Sequence, residues 1–520
     1  MKPSLVAIGR ARSAAYPESA PFHPGARYPE APFEEVSAAP NPAYDAVREA
    51  LLASGCDRSR AGTPDWNPLG AFVRPGDTVL LKPNLVKERH PRDPQGWRWV
   101  LTHGSVIRAV ADYVAIALAG RGRIWLADAP HTDSSWSAIV GALGLDRIAE
   151  HFRRKGLDFE LIDLRREEWT ERDGVIVSRR EIAGDPRGYV AYDLGGSSEL
   201  STHAGEGRYY GADYATDAVN AHHSGGKHEY LIGSSAIRAD VFVNLPKLKT
   251  HKKAGITCSL KNLVGINGDK NWLPHHTMGT PAEGGDEVPF LTWRRRAERR
   301  AISVLRSAAV RIPNLGTRLF VRAKSVGKVA FGDTESVVRN GNWHGNDTTW
   351  RMCLDLNKIL LFGERDGRMR APSRENRKRY LTFVDGIVGG EGRGPMNPDP
   401  VRSGVIVFGR DPVAVDAVCA TLMGFDVDRL PIVREAFHAR GWPLTDVDRD
   451  AIEVASNAPF WNGALAALPP EVLMRFRPHF GWSGRIEAAW RARESHGADV
   501  LVGSAPRAAD ATEKTPTHGV

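Results

Sequence analysis

The sequence predicts an α/β protein: a mainly parallel sheet flanked by helices, with a glycine-rich β insertion and a basic helical insertion. Three observations carry this expectation. Short apolar runs of the buried-strand type recur along the chain, among them "TVLL", "RIWLA", "VFVNL" and "GVIVFG". Segments with helical apolar spacing separate them, and strand–helix–strand crossovers build parallel sheets. At 520 residues the chain is long enough for one large α/β domain with insertions, or for several domains.

The elements follow in order. "SLVAIGR" reads as a first strand, and a proline-rich loop leads from it to the helix "AYDAVREALLASG". "GDTVLLKPNLV" is a strand broken by Pro83. In "THGSVIRAVADYVAIALAGRG", Thr102 or Ser105 caps a helix whose apolar positions are Val106, Val110, Val114 and Leu118. "RIWLADAP" is the next strand, "SAIVGALGLDRIAEHFRRKG" one helix and "DFELIDLR" a further strand. The polar, glycine-rich stretch from Glu168 to Ser235 reads as an insertion with some β-structure. "ADVFVNLPKLKTH" returns to the buried-strand type, "SLKNLVGI" is a short helix, and a loop runs from Asn267 to Gly285. Pro289 to Lys328 is basic and largely helical, and "TTWRMCLDLNKILLFG" is another helix. "RYLTFVDGIVGGEGRGP" is a strand running into a glycine loop, and "GVIVFGRD" feeds the helix "PVAVDAVCATLMGF". The chain thus divides into an N-terminal α/β part (1–167), an insertion (168–235) and a lysine- and histidine-bearing strand and loop (236–288). The basic helical insertion (289–350), a C-terminal α/β part (351–460) and an extension with a polar tail (461–520) complete it.

Composition excludes several classes. Cys56, Cys258, Cys353 and Cys419 form no Cys-x-x-Cys pair, so zinc-ribbon and cubane iron–sulfur patterns are absent. The first apolar run is too short for a signal peptide, and no run of about 18 apolar residues suggests a membrane span. A cytoplasmic location is expected. The net charge of +8 favours acidic partners. The expected partner is an anionic small molecule rather than nucleic acid. Trp293, Ala297, Ala301, Leu305, Ala308 and Ile312 form the apolar face of a basic amphipathic helix, which suits peripheral contact with the inner, anionic face of a membrane or packing on the core.

Polar residues collect where strands end, which in open α/β sheets is where ligands bind. Lys82 and Asn84 follow one strand and Asp128 another; Lys247, Lys249 and His251 follow a third, and Asp385, Glu391 and Arg393 a fourth. Lys261 and Asn262 lie on the short helix beyond Thr257. The lysines suit a phosphate or carboxylate, with Thr257, Asn84 and Asn262 as polar partners and Glu391 and Arg393 aimed inward. His103, Asp128, His251 and Asp385 are the acid–base candidates. No cofactor is specified. Asp128, Asp385 and Glu391 would suit magnesium or calcium, or would pair with the lysines. Taken singly, a strand-end aspartate is more often a cap; Asp411 and Asp416 are read that way. His222, His223 and His228 match no standard donor spacing and are read as polar surface.

The motifs "LLKPNLV", "THGSVIRAV", "LADAP", "VNLPKLKTHKKAGITCSLKNLVGINGDK", "FVDGIVGGEGRGP" and "GRDPVAVDAVCATLMG" stand in the order seen in domain-of-unknown-function family 362, which the chain resembles from Val6 to Phe425. Some members carry ferredoxin-like modules; the clustered cysteines those need are missing here. "GINGDKNWLPHHTMGT" and "GNWHGNDTTWRMCLDLNKILLFG" are similar to a subgroup of surface-polysaccharide gene sets. Two functions follow as expectations: an enzyme acting on an anionic small molecule or activated sugar, or a non-catalytic binding or assembly protein of the same pathway.

Overall fold

A computed structural model describes residues 1–172, 175–211, 216–288, 338 and 340–488. The segment from Pro289 to Lys328, with the apolar face from Trp293 to Ile312, and the tail beyond 488 lie outside the described residues.

Twelve strands form the main sheet. They are β1 (Leu5–Arg10), β2 (Thr78–Pro83), β3 (Arg123–Asp128), β4 (Asp158–Asp163), β5 (Val241–Leu245) and β6 (Lys247–His251). The others are β7 (Gly255–Thr257), β8 (Arg379–Glu391), β9 (Asp399–Val401), β10 (Val405–Gly409), β11 (Glu453–Ser456) and β12 (Gly463–Ala464). The order is β12–β11–β1–β10–β8–β5–β2–β3–β4, with β6 and β9 also paired to β8, and β7 to β6. The neighbours β8, β5, β2, β3 and β4 are mutually parallel, and β10 runs against β8 and β1.

Period-two alternation explains why this sheet is buried on both faces. Val79 and Leu81 enter one apolar cluster and Leu80 the other; Val241 and Val243 separate from Phe242 in the same way. Helices α1 (Pro42–Ala53), α2 (Gly104–Leu118) and α3 (Leu145–Arg154) cover the first face. Helices α4 (Ser259–Asn262), α5 (Thr349–Phe362) and α6 (Pro412–Leu422) cover the second.

Several local expectations are corrected. The helix from Ser137 to Gly156 is two helices: Gly144, at φ 60°, stands in the left-handed region and separates Trp136–Ala142 from α3. Neither Thr102 nor Ser105 caps α2. His103 does, its Nδ1 accepting from the Ser105 N–H at 3.2 Å. The Thr102 hydroxyl instead accepts from the Asn84 N–H (2.9 Å) and donates to the Leu245 carbonyl (2.6 Å), tying the exit of β2 to that of β5. Gly389 and Gly390, expected in a loop, lie in β8 opposite β9. The insertion holds the hairpin Glu167–Arg172/Val175–Glu181 and the pair Tyr189–Asp193/Glu229–Gly233.

Candidate functional site

The strand ends gather the predicted residues into two groups with different character. The first is closed. Lys247 Nζ lies 3.0 Å from Asp385 Oδ2 and 2.6 Å from the Tyr16 hydroxyl, which itself donates to Asp385 Oδ1. The His103 backbone N–H donates to Asp385 Oδ2 at 2.9 Å. The His103 ring is stacked between Tyr16 (centroids 4.0 Å apart) and Trp97 (5.7 Å). Neither the Lys247 nor the Asp385 side chain is exposed at all. Burial lowers the Lys247 pKa, and Asp385 opposes that shift. Burial also holds the His103 imidazole well below its usual range, so it is neutral. Every oxygen and amine in this group is occupied by protein. It pins the proline-rich N-terminal loop and the start of α2 to β6 and β8.

The second group is a polar chamber beyond β2, β3 and β5. Lys82 Nζ sits 2.7 Å from Asp128 Oδ1, and Asp128 Oδ2 accepts from the Leu85 N–H at 2.7 Å. Gly265 makes this possible. A Cβ there would lie 1.8 Å from Asp128 Oδ1 and 2.5 Å from Lys82 Nζ, so only glycine lets the backbone pass. An amide chain continues from the pair: Asn262 Oδ1 accepts from Lys82 Nζ (3.2 Å) and Asn84 Nδ2 (2.9 Å). Asn262 Nδ2 in turn donates to Asn244 Oδ1 (2.7 Å), and Asn244 Nδ2 reaches the Tyr380 hydroxyl (2.7 Å).

Around this chain stand amines with few partners. Lys249 Nζ donates to the Val100 carbonyl at 2.6 Å and meets no carboxylate among the described residues. Lys261 is 8% exposed, and its amine has no hydrogen-bond or ion-pair partner among the described residues. Lys270 donates to the Val264 and Asn267 carbonyls, and Lys253 approaches His276 Nδ1 at 3.0 Å. Burial lowers the pKa of all four. For Lys249, the charges of Lys247 and Lys261 add to it. Lys253 and Lys270 are brought down to about 7. Lys253 is partly exposed. Three buried acceptors at or beside the chamber, Asn84 Oδ1, Thr257 Oγ1 and Asn271 Oδ1, have no hydrogen-bond partner among the described residues. Thr257 stands opposite Lys249 in the β6–β7 hairpin.

Two histidines complete the chamber with fixed tautomers. His251 Nδ1 accepts from the Lys253 and Ala254 N–H groups, so its proton is on Nε2. His275 Nδ1 faces the Leu273 carbonyl at 2.9 Å and must carry the proton, leaving Nε2 as a base. Burial holds both rings well below the usual imidazole range.

The short helix α4 that carries Lys261 and Asn262 is held by Asp416, which accepts from the Ser259 and Leu260 N–H groups (2.6 and 3.0 Å). Asp411 accepts from Val413 and Ala414 at the start of α6. Both aspartates are caps. Glu391 and Arg393 do not enter the chamber: Glu391 pairs with Arg477 at 3.4 Å, and Arg393 is exposed. Asp128, Asp385 and Glu391 each answer a different cation, and among the described residues no three metal-ligating side chains converge. His222 stacks on Trp272, and His223 Nε2 bonds the Trp272 carbonyl. Sequence reasoning placed neither Tyr16 nor Asn244 in the site, nor Lys253, Lys270 and His275. The dense lysine and histidine content of residues 247–275 was the available signal for the last three; Tyr16 had none.

No solved structure matches the chain. The thylakoid-associated protein sll1697 of Synechocystis sp. is 26% identical over 197 residues, covering 38% of this chain and 41% of that protein, so the alignment spans less than half of either. The model of the family described as domain of unknown function (DUF362) matches residues 79–185 and 194–421, and these segments contain Lys82, Asp128, the whole β5–α4 region and Asp385. They amount to more than half of the 520 residues: the chain belongs to the DUF362 family.

Proposed function

We propose that the chamber binds an anionic small molecule and that the protein is an enzyme acting on it. One observation carries this reading: Lys249 and Lys261 are buried within reach of each other's charge, and neither has a carboxylate partner among the described residues. Buried ammonium groups without counter-charge are costly, and an anion with several oxygens removes the cost. Thr257 and Asn84 would add polar contacts, and a phosphate or carboxylate would be held chiefly by Lys249, Lys261 and Lys82. His251, as a neutral donor, and His275, as a neutral acceptor, supply the acid and base.

An activated sugar, phosphate-bearing and hydroxyl-rich, suits a chamber lined by amides and amines. The similarity of residues 265–280 and 341–363 to a subgroup of surface-polysaccharide gene sets gives the pathway context for such a substrate. The thylakoid association named for the Synechocystis relative supports work beside a membrane, and no described helix is long and apolar enough to cross one. The second reading, a non-catalytic binding or assembly protein, uses the same anion contacts and differs in turnover alone.

The test is calorimetric titration with pyrophosphate, followed by incubation with nucleoside-diphosphate sugars and product analysis. Lys249→Met should weaken pyrophosphate binding about 10- to 100-fold in a folded protein. Unchanged affinity would sink the anion site. Binding without any product would leave the non-catalytic reading in its place.

A further inference from the structure

The opposite end of the sheet holds a separate cavity of about 390 Å³. It opens where β8 begins and β10 ends, and the six strand steps from Arg379 to Asp385 put about 20 Å between it and the closed Lys247 group. Its polar wall carries the guanidinium groups of Arg374, Arg377, Arg379 and Arg410 and the Lys378 amine; Arg379 pairs with Asp77, and Lys378 donates to the Ile237 and Ala239 carbonyls. Among the described residues Arg410 donates only to the Met1 carbonyl (3.3 Å), and it lies over the Phe72 ring, 5.5 Å from its centroid. Arg377 gives one nitrogen to Asp446 at 3.1 Å, while its buried Nε has no hydrogen-bond partner among the described residues. Arg374 stands exposed at the mouth, and its side chain has no hydrogen bond or ion pair among the described residues.

The carboxylates of the wall do not balance these charges. Asp446 answers Arg377. Asp411 is spent on the Val413 and Ala414 N–H groups and on the Thr445 hydroxyl (2.7 Å). The N-terminus of α6 is therefore already capped and offers nothing further to a ligand. Two guanidinium groups remain over, those of Arg374 and Arg410. Phe72, Leu361 and Leu444 supply an apolar wall beside them.

We propose that this cavity is a second ligand site, independent of the strand-end chamber, for an organic phosphate monoester. Two unmatched guanidinium forks fit a dianionic head with three free oxygens better than a monoanion, because each fork binds two oxygens. The apolar wall takes the organic body, and the volume falls within the usual range for small-molecule sites.

Hydrogen–deuterium exchange of the full chain with phenyl phosphate tests this, because it reports on each end of the sheet separately. Phenyl phosphate should slow exchange in the peptides spanning Arg374–Tyr380 and Gly409–Ala414. Benzoate should do so only at concentrations at least about tenfold higher, having one charge fewer to match the two guanidinium groups. Arg374→Gln with Arg410→Gln should abolish that protection while leaving the response of residues 247–262 unchanged. Arg374→Gln alone, at an exposed position, provides a variant whose folding is not at stake, and it should weaken protection about tenfold. Equal protection by benzoate would overturn the phosphate assignment. Absence of protection at this end in the wild type, or its persistence in both variants, would overturn the site.

Discussion

The Tyr16 hydroxyl donates to Asp385 across 2.6 Å, joining two residues 369 positions apart in the chain. The same hydroxyl accepts from Lys247 Nζ and from the Val388 N–H. One phenol thus completes a charge pair that the sheet alone would leave short of hydrogen bonds. Tyr16→Phe should cost about 1–3 kcal/mol of stability, the price of unsatisfied buried partners. Asp385→Ala should cost more, roughly 3–5 kcal/mol, because it strands the Lys247 amine. Urea unfolding of both variants checks this; equal and negligible losses would show that the network is not structural.

Lys261→Met makes the opposite demand. The lysine has no partner to lose among the described residues, so the variant should unfold at the same or higher denaturant concentration while binding pyrophosphate about 10- to 100-fold more weakly. A loss of stability without loss of binding would place Lys261 among the structural groups.

Anion binding should take up protons. With Lys253 and Lys270 near 7 in the empty chamber, both amines are largely neutral above that pH. A bound anion favours their charged forms and raises both pKa values. Affinity should therefore fall as pH rises above about 7, and the heat of binding should vary with the ionisation heat of the buffer. No buffer dependence would remove these two lysines from the site.

Asp416 predicts a slope of the other kind. Burial raises its carboxyl to about 7, against the Leu260 and Ser259 N–H groups that favour the anion. The folded state holds the proton more tightly than the unfolded chain does, so the contribution of Asp416 to stability is fully present below about pH 4 and is lost as pH rises towards about 7. Asp416→Asn should flatten that part of the profile, read as unfolding midpoints across the same interval. An unchanged slope would mean that another group titrates there.

Gly265→Ala should separate geometry from charge. The added methyl would meet Asp128 and Lys82 head-on, at 1.8 and 2.5 Å. A destabilisation of roughly 1–3 kcal/mol is expected, together with weaker pyrophosphate binding. Wild-type behaviour in both assays would show that the Lys82–Asp128 pair can move aside at no cost.

The strands were legible in the sequence because burial on both faces writes itself as an unbroken apolar run, as in Val79–Leu81 and Val241–Val243. The break at Gly144 and the cap on α2 were not. A glycine inside a helical period does not reveal the sign of its φ, and Thr102, the better cap by type, is drawn away by β2 and β5. For the site, the lysine-rich stretch was visible as a local excess. What the sequence could not show is which amines are answered. Lys247 and Lys249 are alike in type and two residues apart, yet among the described residues one meets Asp385 and Tyr16 and the other only a carbonyl. Those partners come from distant segments, and no local pattern encodes them.

β6 alternates in a tract only five residues long. Leu248 enters the apolar core and the Thr250 hydroxyl bonds the Gly392 carbonyl, while Lys247, Lys249 and His251 take the positions between them. The ladder with β8 jumps from Lys247↔Asp385 to Lys249↔Gly390, so the slack in this pairing lies on β8 and none remains on β6. Adding or removing one residue at the junction of Pro246 and Lys247 would turn Leu248 and Thr250 towards Asp385 and the chamber and drive the amines into the core. The tract therefore behaves like a reading frame. A substitution in it changes one contact, whereas a one-residue shift changes them all.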